Sequence, residues 1–191
     1  MPDRLNIVSL RNRKSLTGNG KLMSHNLEQL RTIFTAALAS DCLDAMGYGK
    51  QVLGEDIHML SGDGVMLGYA FPVQIEVVNT FPEVPYVGLL KALDAVGKDQ
   101  VYVTPTNRTG HAALWGELLS TACAFKGVAG ALTDGPTRDL SRTDAMGFKV
   151  FATGTLPIDI NGRYEVVEHN VSCVIDGVTI NPGDLIVGDS D

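Results

Sequence analysis

The sequence predicts an α/β fold in a single domain, and two observations carry that prediction. A helical pattern followed by a short apolar strand runs over residues 86–104, again over 115–133, and more weakly over 141–152. Repeated units of this kind favour parallel strands covered by helices. The length of 191 residues suits one domain with a full hydrophobic core, and 45% hydrophobic with 19% charged residues is an ordinary globular composition.

The amino-terminal part of the chain is predicted to add little to this fold. Residues 1–25 are polar with scattered basic side chains, and we interpret them as an arm that is either a solvated tail or a subunit contact. Helical spacing of apolar residues runs over 26–46. Ser40-Asp41 is expected to be the N-cap of a new helix that ends at Gly47.

Alternating residues predict β structure in two further parts of the chain. Residues 65–71 and 73–78 predict two strands separated by Pro72, with Glu76 on the solvent side. The segment 158–191 predicts strands and tight turns, and within it residues 163–167 and 171–174 are expected to pair.

The segment from Gly116 to Asp139 combines charged residues and glycines most densely. It predicts a helix that ends at Lys126-Gly127, a strand over 128–133 buried on both faces, and a turn at 134–136. The apolar residues expected on the buried helix face are Leu118, Leu119, Ala122, Cys123 and Phe125. A helix followed by a strand would fold the two ends of this segment back together.

The residues at those two ends have complementary chemistry. Backbone N–H groups from Gly116 to Leu119 would begin the helix, where a carboxylate or phosphate binds favourably. Arg138 would offer a planar, permanently charged fork to the same anion, and Asp139 a hard oxygen ligand to a divalent cation. A purely structural role is the alternative to ligand binding. Arg138 and Asp139 could form a surface ion pair, and the negative charge of Glu117 could simply complement the helix N-terminus.

Ligands in such sheets gather beyond the carboxyl ends of the strands, which predicts that loops 104–110 and 134–139 share one cleft. His111 could act as an acid or base, but we favour a structural role, and we favour packing for Trp115 and a helix surface for Asp144. Lys126 lies at the far end of the helix, which argues against a Schiff base.

The motif around these residues resembles a known family. Glu117 lies in Gly-Glu-Leu-Leu, and after twenty intervening residues Arg138-Asp139 closes Asp-Gly-x-x-Arg-Asp. This pattern resembles the 4-hydroxy-4-methyl-2-oxoglutarate aldolase family, which also contains the ribonuclease-activity regulator A proteins. The similarity extends from Ser40-Asp41 to residues 182–189, roughly three quarters of the chain. It also places Ser40-Asp41 near the site, although capping explains that pair equally well.

The resemblance implies both an architecture and a reaction. The expected fold is a layered β/β/α, swivelling-domain-like arrangement with a partly parallel central sheet, spanning residues 26–191. The expected activity is a class II type aldolase that uses Mg²⁺ or Mn²⁺ to cleave 4-hydroxy-4-methyl-2-oxoglutarate, or a related 4-hydroxy-2-oxo acid, to pyruvate, with oxaloacetate decarboxylation as a side activity. Asp139 would hold the metal directly and Glu117 through water. The implied catalytic residues are Glu117, Arg138 and Asp139, and the implied substrate-binding residues are Gly116, Glu117, Leu118, Leu119 and Arg138.

A second function within the same family stays open, namely a regulator that inhibits ribonuclease E by contact. The presence of both Glu117 and Asp139 favours the enzyme. The resemblance further implies a homotrimer or hexamer, and acidic residues from a neighbouring subunit's C-terminal region, for which this sequence is expected to be too short. Asn107 and Arg108 depart from the family's usual glycine-rich, aspartate-bearing loop, so substrate choice is expected to differ.

Composition excludes some classes of partner. A net charge of -7 argues against nucleic acid, because phosphate binding needs a basic face. No apolar run is long enough to cross a membrane, and the N-terminus does not resemble a secretory signal. The scattered cysteines Cys42, Cys123 and Cys173 are expected to be buried thiols in a reducing compartment, which predicts a cytoplasmic protein.

Overall fold

The computed structural model describes residues 7–10 and 27–190. Its helices are α1 (Leu27–Arg31), α2 (Ala36–Ala45), α3 (Val87–Ala95), α4 (Glu117–Phe125) and α5 (Leu140–Ala145). Its strands are β1 (Ile7–Leu10), β2 (His58–Ser61), β3 (Met66–Val77), β4 (Gln100–Thr104), β5 (Gly130–Thr133), β6 (Pro136–Thr137), β7 (Val150–Ala152), β8 (Gly154–Thr155), β9 (Tyr164–His169), β10 (Cys173–Ile175), β11 (Val178–Ile180) and β12 (Leu185–Gly188).

A mixed sheet with the order β1-β12-β3-β4-β5-β7-β2 forms the centre of the molecule. Its middle strands β3, β4, β5 and β7 are parallel, and the flanking pairs β1–β12, β12–β3 and β2–β7 are antiparallel. Parallel strands are buried on both faces, and every residue of β5 and β7 is accordingly buried. The carboxyl ends of the four parallel strands therefore lie along one edge of the sheet.

The two faces of the sheet carry different layers because side chains alternate along each strand. On one face, Val101, Val103 and Leu132 pack against Ile175 and Ile180 of the β10–β11 hairpin. On the other face, Tyr102 and Ala131 pack with Ala92 of α3 and Cys123 of α4. The result is a hairpin layer, a sheet layer and a helix layer. The predicted α/β fold, its partly parallel sheet and its single domain are confirmed.

The predicted arm contains one strand of the sheet. The backbone of β1 pairs antiparallel with β12, so residues 7–10 belong to the sheet rather than to an arm. Residues 1–6 and 11–26 lie outside the described part of the chain, so the rest of that prediction stays a prediction.

The predicted N-cap at Ser40-Asp41 is wrong. Thr35 caps α2 instead, because its side chain accepts a hydrogen bond from the Leu38 amide at 3.1 Å. Ser40 and Asp41 lie in the middle of that helix. The predicted Gly47 follows its C-cap Met46 and has a left-handed backbone (φ 80°).

The two strands predicted on either side of Pro72 are one continuous strand, β3. Pro72 is the last residue that pairs with β4, and Val73 is the first that pairs with β9. The missing N–H of proline is tolerated at this change of partner, while its carbonyl accepts from the Asn170 amide at 2.7 Å. Glu76 is exposed, as predicted.

The predicted pairing of residues 163–167 with 171–174 is wrong. Strand β9 pairs with β3, and β10 pairs with β11 across the turn at Asp176-Gly177. Both turn residues have positive φ, 51° and 77°, which suits a two-residue hairpin turn. Two residues connect β10 to β11, whereas three residues, 168–170, would have connected the predicted pair.

Candidate functional site

Four segments meet beyond the carboxyl ends of the four parallel strands. The chain reaches Tyr86 after β3, Glu117 after β4, Arg138 and Asp139 after β5, and Asp159 after β7. Hydrogen bonds and ion pairs link the side chains or backbone of all five residues. We call these five residues the Arg138 cluster.

The two ends of the segment 116–139 meet through the backbone. The Arg138 amide donates to the Trp115 carbonyl at 3.0 Å, and the Thr137 hydroxyl donates to the same carbonyl at 3.1 Å. Trp115 is buried, lies 5.9 Å from the Phe148 ring, and donates from its indole to Ser120 Oγ at 2.8 Å. The predicted packing role of Trp115 is therefore confirmed, and the indole anchors the start of α4.

Gly116 permits the close approach of these two ends. A Cβ atom on Gly116 would lie 2.8 Å from Asp139 Oδ2 and 3.0 Å from Arg138 Cγ. The φ of Gly116 is -177°, which any residue adopts, so space rather than backbone conformation requires glycine here. The N–H groups of Leu118 and Leu119 belong to the first turn of α4, where amides have no partner inside the helix.

Arg138 lies between two carboxylates. Its Nε is 3.4 Å from Asp139 Oδ2, and its Nη1 is 3.2 Å from Asp159 Oδ1. Within residues 7–10 and 27–190 the structure gives no partner to Nη2. The side chain is 31% exposed, so part of the guanidinium fork faces solvent and can receive an anion.

Asp139 is held loosely and has an unusual backbone. Its Oδ2 accepts from the Glu117 amide at 3.3 Å, and the side chain is 42% exposed. Its φ of 56° is left-handed, a conformation that aspartate tolerates better than most residues. Glu117, Asp139, Asp159 and Arg138 together carry a formal charge of -2, so the cluster favours a cation.

Tyr86 and Asp159 are the members of the cluster that the sequence did not predict. Tyr86 donates its hydroxyl to Asp159 Oδ2 at 2.5 Å, and the Asn161 amide donates to the same oxygen at 3.2 Å. Partial burial raises the pKa of Asp159, but these hydrogen bonds and the charge of Arg138 outweigh it, and the net pKa lies below its ordinary value. The strand-end rule, applied to β7 as it was to β4 and β5, would have found Asp159.

The loops after β4 and β5 contact each other, and the predicted shared cleft stays a prediction. The Thr106 amide donates to the carboxylate of Asp134, which is buried, and a Cβ on Gly135 would lie 2.5 Å from Thr106 Cγ2. The sequence had assigned Asp134 only to a turn. Its side chain ties the backbone of the first loop to the second.

Arg108 in the first of these loops is held by a separate set of acidic residues. Its guanidinium contacts both oxygens of Asp56, and its Nε donates to Asp176 Oδ1 at 2.9 Å. Asp176 in turn accepts from the Gly54 amide at 2.7 Å. We call Arg108, Asp56 and Asp176 the Arg108 clasp. The side chain of Arg108, which the sequence had linked to substrate choice, is therefore bonded to these two aspartates.

Other residues that the sequence singled out lie outside the Arg138 cluster. His111 is exposed, and its amide lies 3.3 Å from the Tyr164 hydroxyl. Asp144 is exposed on α5, as predicted, and accepts from the Gly62 amide at 3.1 Å. Lys126 donates to the carbonyls of Leu93 and Asp94 near the end of α3.

Two expectations about burial are wrong. Leu118 is 78% and Phe125 93% exposed, because Ser120 and Cys123 define the buried face of α4. Cys42 is exposed on α2, whereas Cys123 and Cys173 are buried, which raises the pKa of each buried thiol to about 12.

The oxygen ligands of the cluster suit a small divalent cation. The described residues contain no group of three or more His, Cys, Asp or Glu side chains placed to bind a metal ion. Mg²⁺ needs no such cage, because it commonly binds through one or two carboxylates and keeps several waters. The carboxylates of Asp139, which is 42% exposed, and Glu117, which is partly exposed, are hard oxygen donors in a region of negative charge. Donors of this kind fit Mg²⁺ or Mn²⁺.

Within the described ranges, none of the helices is long and apolar enough to cross a membrane.

Comparison with known proteins identifies the family. The chain matches the RraA-like family model, described as Aldolase/RraA, over residues 36–191. It is 31% identical over 165 residues to a Halalkalibacterium halodurans protein named "Putative 4-hydroxy-4-methyl-2-oxoglutarate aldolase", covering 86% of this chain and 73% of that protein. It is 30% identical over 169 residues to Protein DlpA of Legionella pneumophila, covering 87% of this chain and 26% of DlpA, about a quarter of that relative's length.

A solved structure supports the fold. The crystal structure of Streptomyces coelicolor RraAS2, described as an unusual member of the RNase ES inhibitor RraA protein family, aligns with a TM-score of 0.71 at 24% identity. The alignment covers 84% of this chain and 78% of that one. The match of the family model over more than half of the chain shows that the chain belongs to the RraA-like family.

Proposed function

We propose that this chain is a divalent-metal-dependent aldolase of class II type that cleaves 4-hydroxy-4-methyl-2-oxoglutarate, or a related 4-hydroxy-2-oxo acid, to pyruvate. One observation carries the proposal: a partly open guanidinium, Arg138, lies beside the hard oxygen ligand Asp139 at the N-terminus of a helix. An anion and a cation can therefore be bound side by side. The printed name of the Halalkalibacterium relative supports the same class of reaction.

Binding of the substrate would use the positive groups of the cluster. Arg138 would receive the oxygens of the 2-oxo acid through its fork, and the Gly116 to Leu119 amides at the start of α4 would receive a second anionic group. The Arg138 guanidinium already lies between the carboxylates of Asp139 and Asp159, so this cation needs little reorganisation when charge develops.

The proposed cofactor is Mg²⁺ or Mn²⁺. Asp139 would hold it directly and Glu117 through water. A bound divalent cation would supply positive charge that stabilises the enolate of pyruvate.

The chain's own residues would perform the remaining steps. Glu117 would orient a water molecule that accepts the C4 hydroxyl proton, the C4–O bond becomes a carbonyl, and the electrons of the broken C3–C4 bond move into the enolate. Arg138 would stabilise the negative charge that forms only at this stage, which is how binding energy lowers a barrier. Loss of CO₂ from oxaloacetate yields the same enolate, so decarboxylation is proposed as a side activity.

We further propose that the chain works as a homo-oligomer, a trimer or hexamer. Large apolar side chains on two neighbouring helices are exposed, Leu118 and Phe125 on α4 and Leu90 on α3. A subunit contact would remove these side chains from water. The proposal is checked by the mass of the protein in solution.

Pyruvate release tests the proposed reaction. The protein would be assayed with 4-hydroxy-4-methyl-2-oxoglutarate and with oxaloacetate, in Mg²⁺ and in EDTA, beside Asp139→Ala. We expect turnover that requires the metal and is lost in the variant. No turnover of either substrate by folded protein in Mg²⁺ or Mn²⁺ would refute the proposal and favour a regulator that inhibits ribonuclease E by contact.

A further inference from the structure

The direction of the Arg138 side chain depends on a residue outside the sequence motif. The backbone of Arg138 is fixed by the Trp115 carbonyl, but four rotatable bonds separate that backbone from the guanidinium. Asp139 contacts Nε at 3.4 Å, a long distance for a charged hydrogen bond. Asp159 contacts Nη1 at 3.2 Å from the opposite end of the guanidinium. These two contacts therefore define the plane of the fork.

Asp159 is itself held firmly. Its Oδ2 accepts from Tyr86 Oη at 2.5 Å and from the Asn161 amide at 3.2 Å, which leaves Oδ1 for Arg138. Side-chain rotation of Asp159 would break all three contacts at once. The carboxylate thus connects the backbone of residues 159–161 to the Arg138 guanidinium.

Tyr86 adopts an uncommon backbone to make its contact. Its φ of 64° is left-handed, which is rare for a large aromatic residue, and no side-chain hydrogen bond caps α3 at this position. Backbone strain of this kind persists where the surrounding structure uses it, and it concentrates at functional sites. The Tyr86 hydroxyl reaches Asp159 from the segment that follows β3, on the other side of the cleft from β7.

We propose that Asp159 is a positioning residue that orients the Arg138 guanidinium, and that Tyr86 fixes Asp159 for this purpose. Asp159 forms an ion pair with Nη1 at 3.2 Å, and Nη2, which has no partner in the described residues, is left for a carboxylate or enolate. This inference deepens the proposed function and rests on it for the identity of the anion, a 2-oxo acid. The orientation of Arg138 itself is testable without any activity.

A matched ion pair provides the control. Arg31 and Asp99 form a pair at 2.8 Å with side chains 31% and 30% exposed, against 31% and 33% for Arg138 and Asp159. Asp99 precedes β4, at the opposite edge of the sheet from the cluster. Asp99→Asn therefore removes an equally exposed ion pair without touching the site.

The experiment has two readouts on the full chain. Side-chain NMR of the Arg138 Nε–H group, assigned with Arg138→Lys, measures the mobility of the guanidinium in wild type, Asp159→Ala, Asp159→Asn, Tyr86→Phe and Asp99→Asn. Calorimetry measures the Kd of oxalate in Mg²⁺, and oxaloacetate turnover separates KM from kcat. Thermal unfolding confirms that each variant is folded.

We expect Asp159→Ala to mobilise the Arg138 Nε–H group and to weaken oxalate binding about 10- to 100-fold, as for loss of other orienting partners. Tyr86→Phe should act in the same direction with a smaller loss, Asp159→Asn should recover part of it through its remaining acceptor, and Asp99→Asn should change neither readout. An unchanged Nε–H mobility in folded Asp159→Ala would overturn the inference.

The two readouts separate this inference from the proposed function. If wild type binds no oxalate and releases no pyruvate, but Asp159→Ala still mobilises Arg138, then Asp159 positions the arginine and the proposed function fails. If wild type binds oxalate and Asp159→Ala binds it equally well, the proposed function survives and the positioning role fails.

Discussion

Two arginines of this chain each lie between two aspartates, but they are held differently. Arg108 meets both oxygens of Asp56 and uses Nε and Nη2 on Asp176. Arg138 meets its two partners through single contacts at 3.2 and 3.4 Å and leaves Nη2 without a partner in the described residues. Exposure does not explain the difference, since Arg108 is 39% and Arg138 31% exposed.

The difference separates a structural arginine from one that can bind a ligand. The Arg108 clasp satisfies its guanidinium, and its hydrogen bonds lower the pKa of Asp56 and raise the pKa of Arg108. Its formal charge is -1. The Arg138 cluster has a formal charge of -2 and an incompletely bonded fork, so it can accept both a cation and an anion. A loosely satisfied charged group at the end of parallel strands is thus the stronger sign of a site.

The largest expected effect is that of Asp139→Asn in the Arg138 cluster. The substitution keeps the shape of the side chain but removes the charge proposed to hold the cation. We expect pyruvate release to fall by about 10²- to 10³-fold, the cost of losing a group that stabilises developing charge. Steady-state turnover over a range of Mg²⁺ concentrations measures this, and wild-type turnover would remove Asp139 from the proposed mechanism.

Gly116→Ala should displace the cluster without removing any of its charges. The new Cβ would lie 2.8 Å from Asp139 Oδ2 and 3.0 Å from Arg138 Cγ, so these side chains must shift. We expect kcat/KM for oxaloacetate to fall about 10-fold, because small misplacements of catalytic groups are costly. Gly49→Ala is the control. Its new Cβ would lie 3.1 Å from Asp44 Oδ1, and neither residue belongs to the Arg138 cluster. Equal effects on turnover from both substitutions would show that the close packing of Gly116 against the Arg138 cluster does not matter for catalysis.

Arg108→Ala should affect stability more than turnover. Exposed ion pairs contribute about 0.2 to 1 kcal/mol each, and Arg108 makes two, so we expect the free energy of unfolding to fall by about 1 kcal/mol. Turnover should stay within about threefold of wild type. Urea unfolding and pyruvate release measured on the same samples test both statements, and unchanged stability would show that the clasp is not a structural contact.

Asp56→Asn gives the smallest effect and a pH signature. The folded-state pKa of Asp56 lies below its ordinary value of 3.8, chiefly through its hydrogen bond from Arg108. The charged carboxylate therefore stabilises the fold above pH 3.8, and this contribution is lost as pH falls through the lower, folded-state pKa. The difference in urea midpoint between wild type and variant should be full above about pH 5 and vanish near about pH 2. A difference that persists at the acidic end would disprove the linkage.

Local patterns in the sequence predicted the part of the fold that local physics controls. The apolar runs at 100–104 and 128–133 gave buried parallel strands, and Gly47 and Gly127 ended helices with positive φ. Such local patterns do not predict which strands pair when they are far apart in sequence. Strand β1 and the change of partner at Pro72 depend on strands more than 90 residues away in sequence.

In the candidate site, too, residues connected by local structure were predicted and residues joined only by long-range contacts were not. Glu117 and Arg138-Asp139 were predicted to meet because a helix and a strand connect them, and the Trp115–Arg138 bond brings them together. Tyr86 and Asp159 escaped prediction, since their hydrogen bond joins residues 73 positions apart that follow different strands. The exposed Leu118 and Phe125 were misplaced because an apolar residue near the end of a helix can face either the core or another subunit.

Calorimetry can show which arginine binds the anion. Oxalate binding to Arg138→Gln and to Arg108→Gln would be compared with wild type in Mg²⁺ and in EDTA. Glutamine removes the same charge at both positions. We expect metal-dependent binding to wild type that survives in Arg108→Gln and falls by at least about 10-fold in Arg138→Gln. Binding that is lost in Arg108→Gln and kept in Arg138→Gln would place the anion site at the Arg108 clasp and refute the proposed role of Arg138.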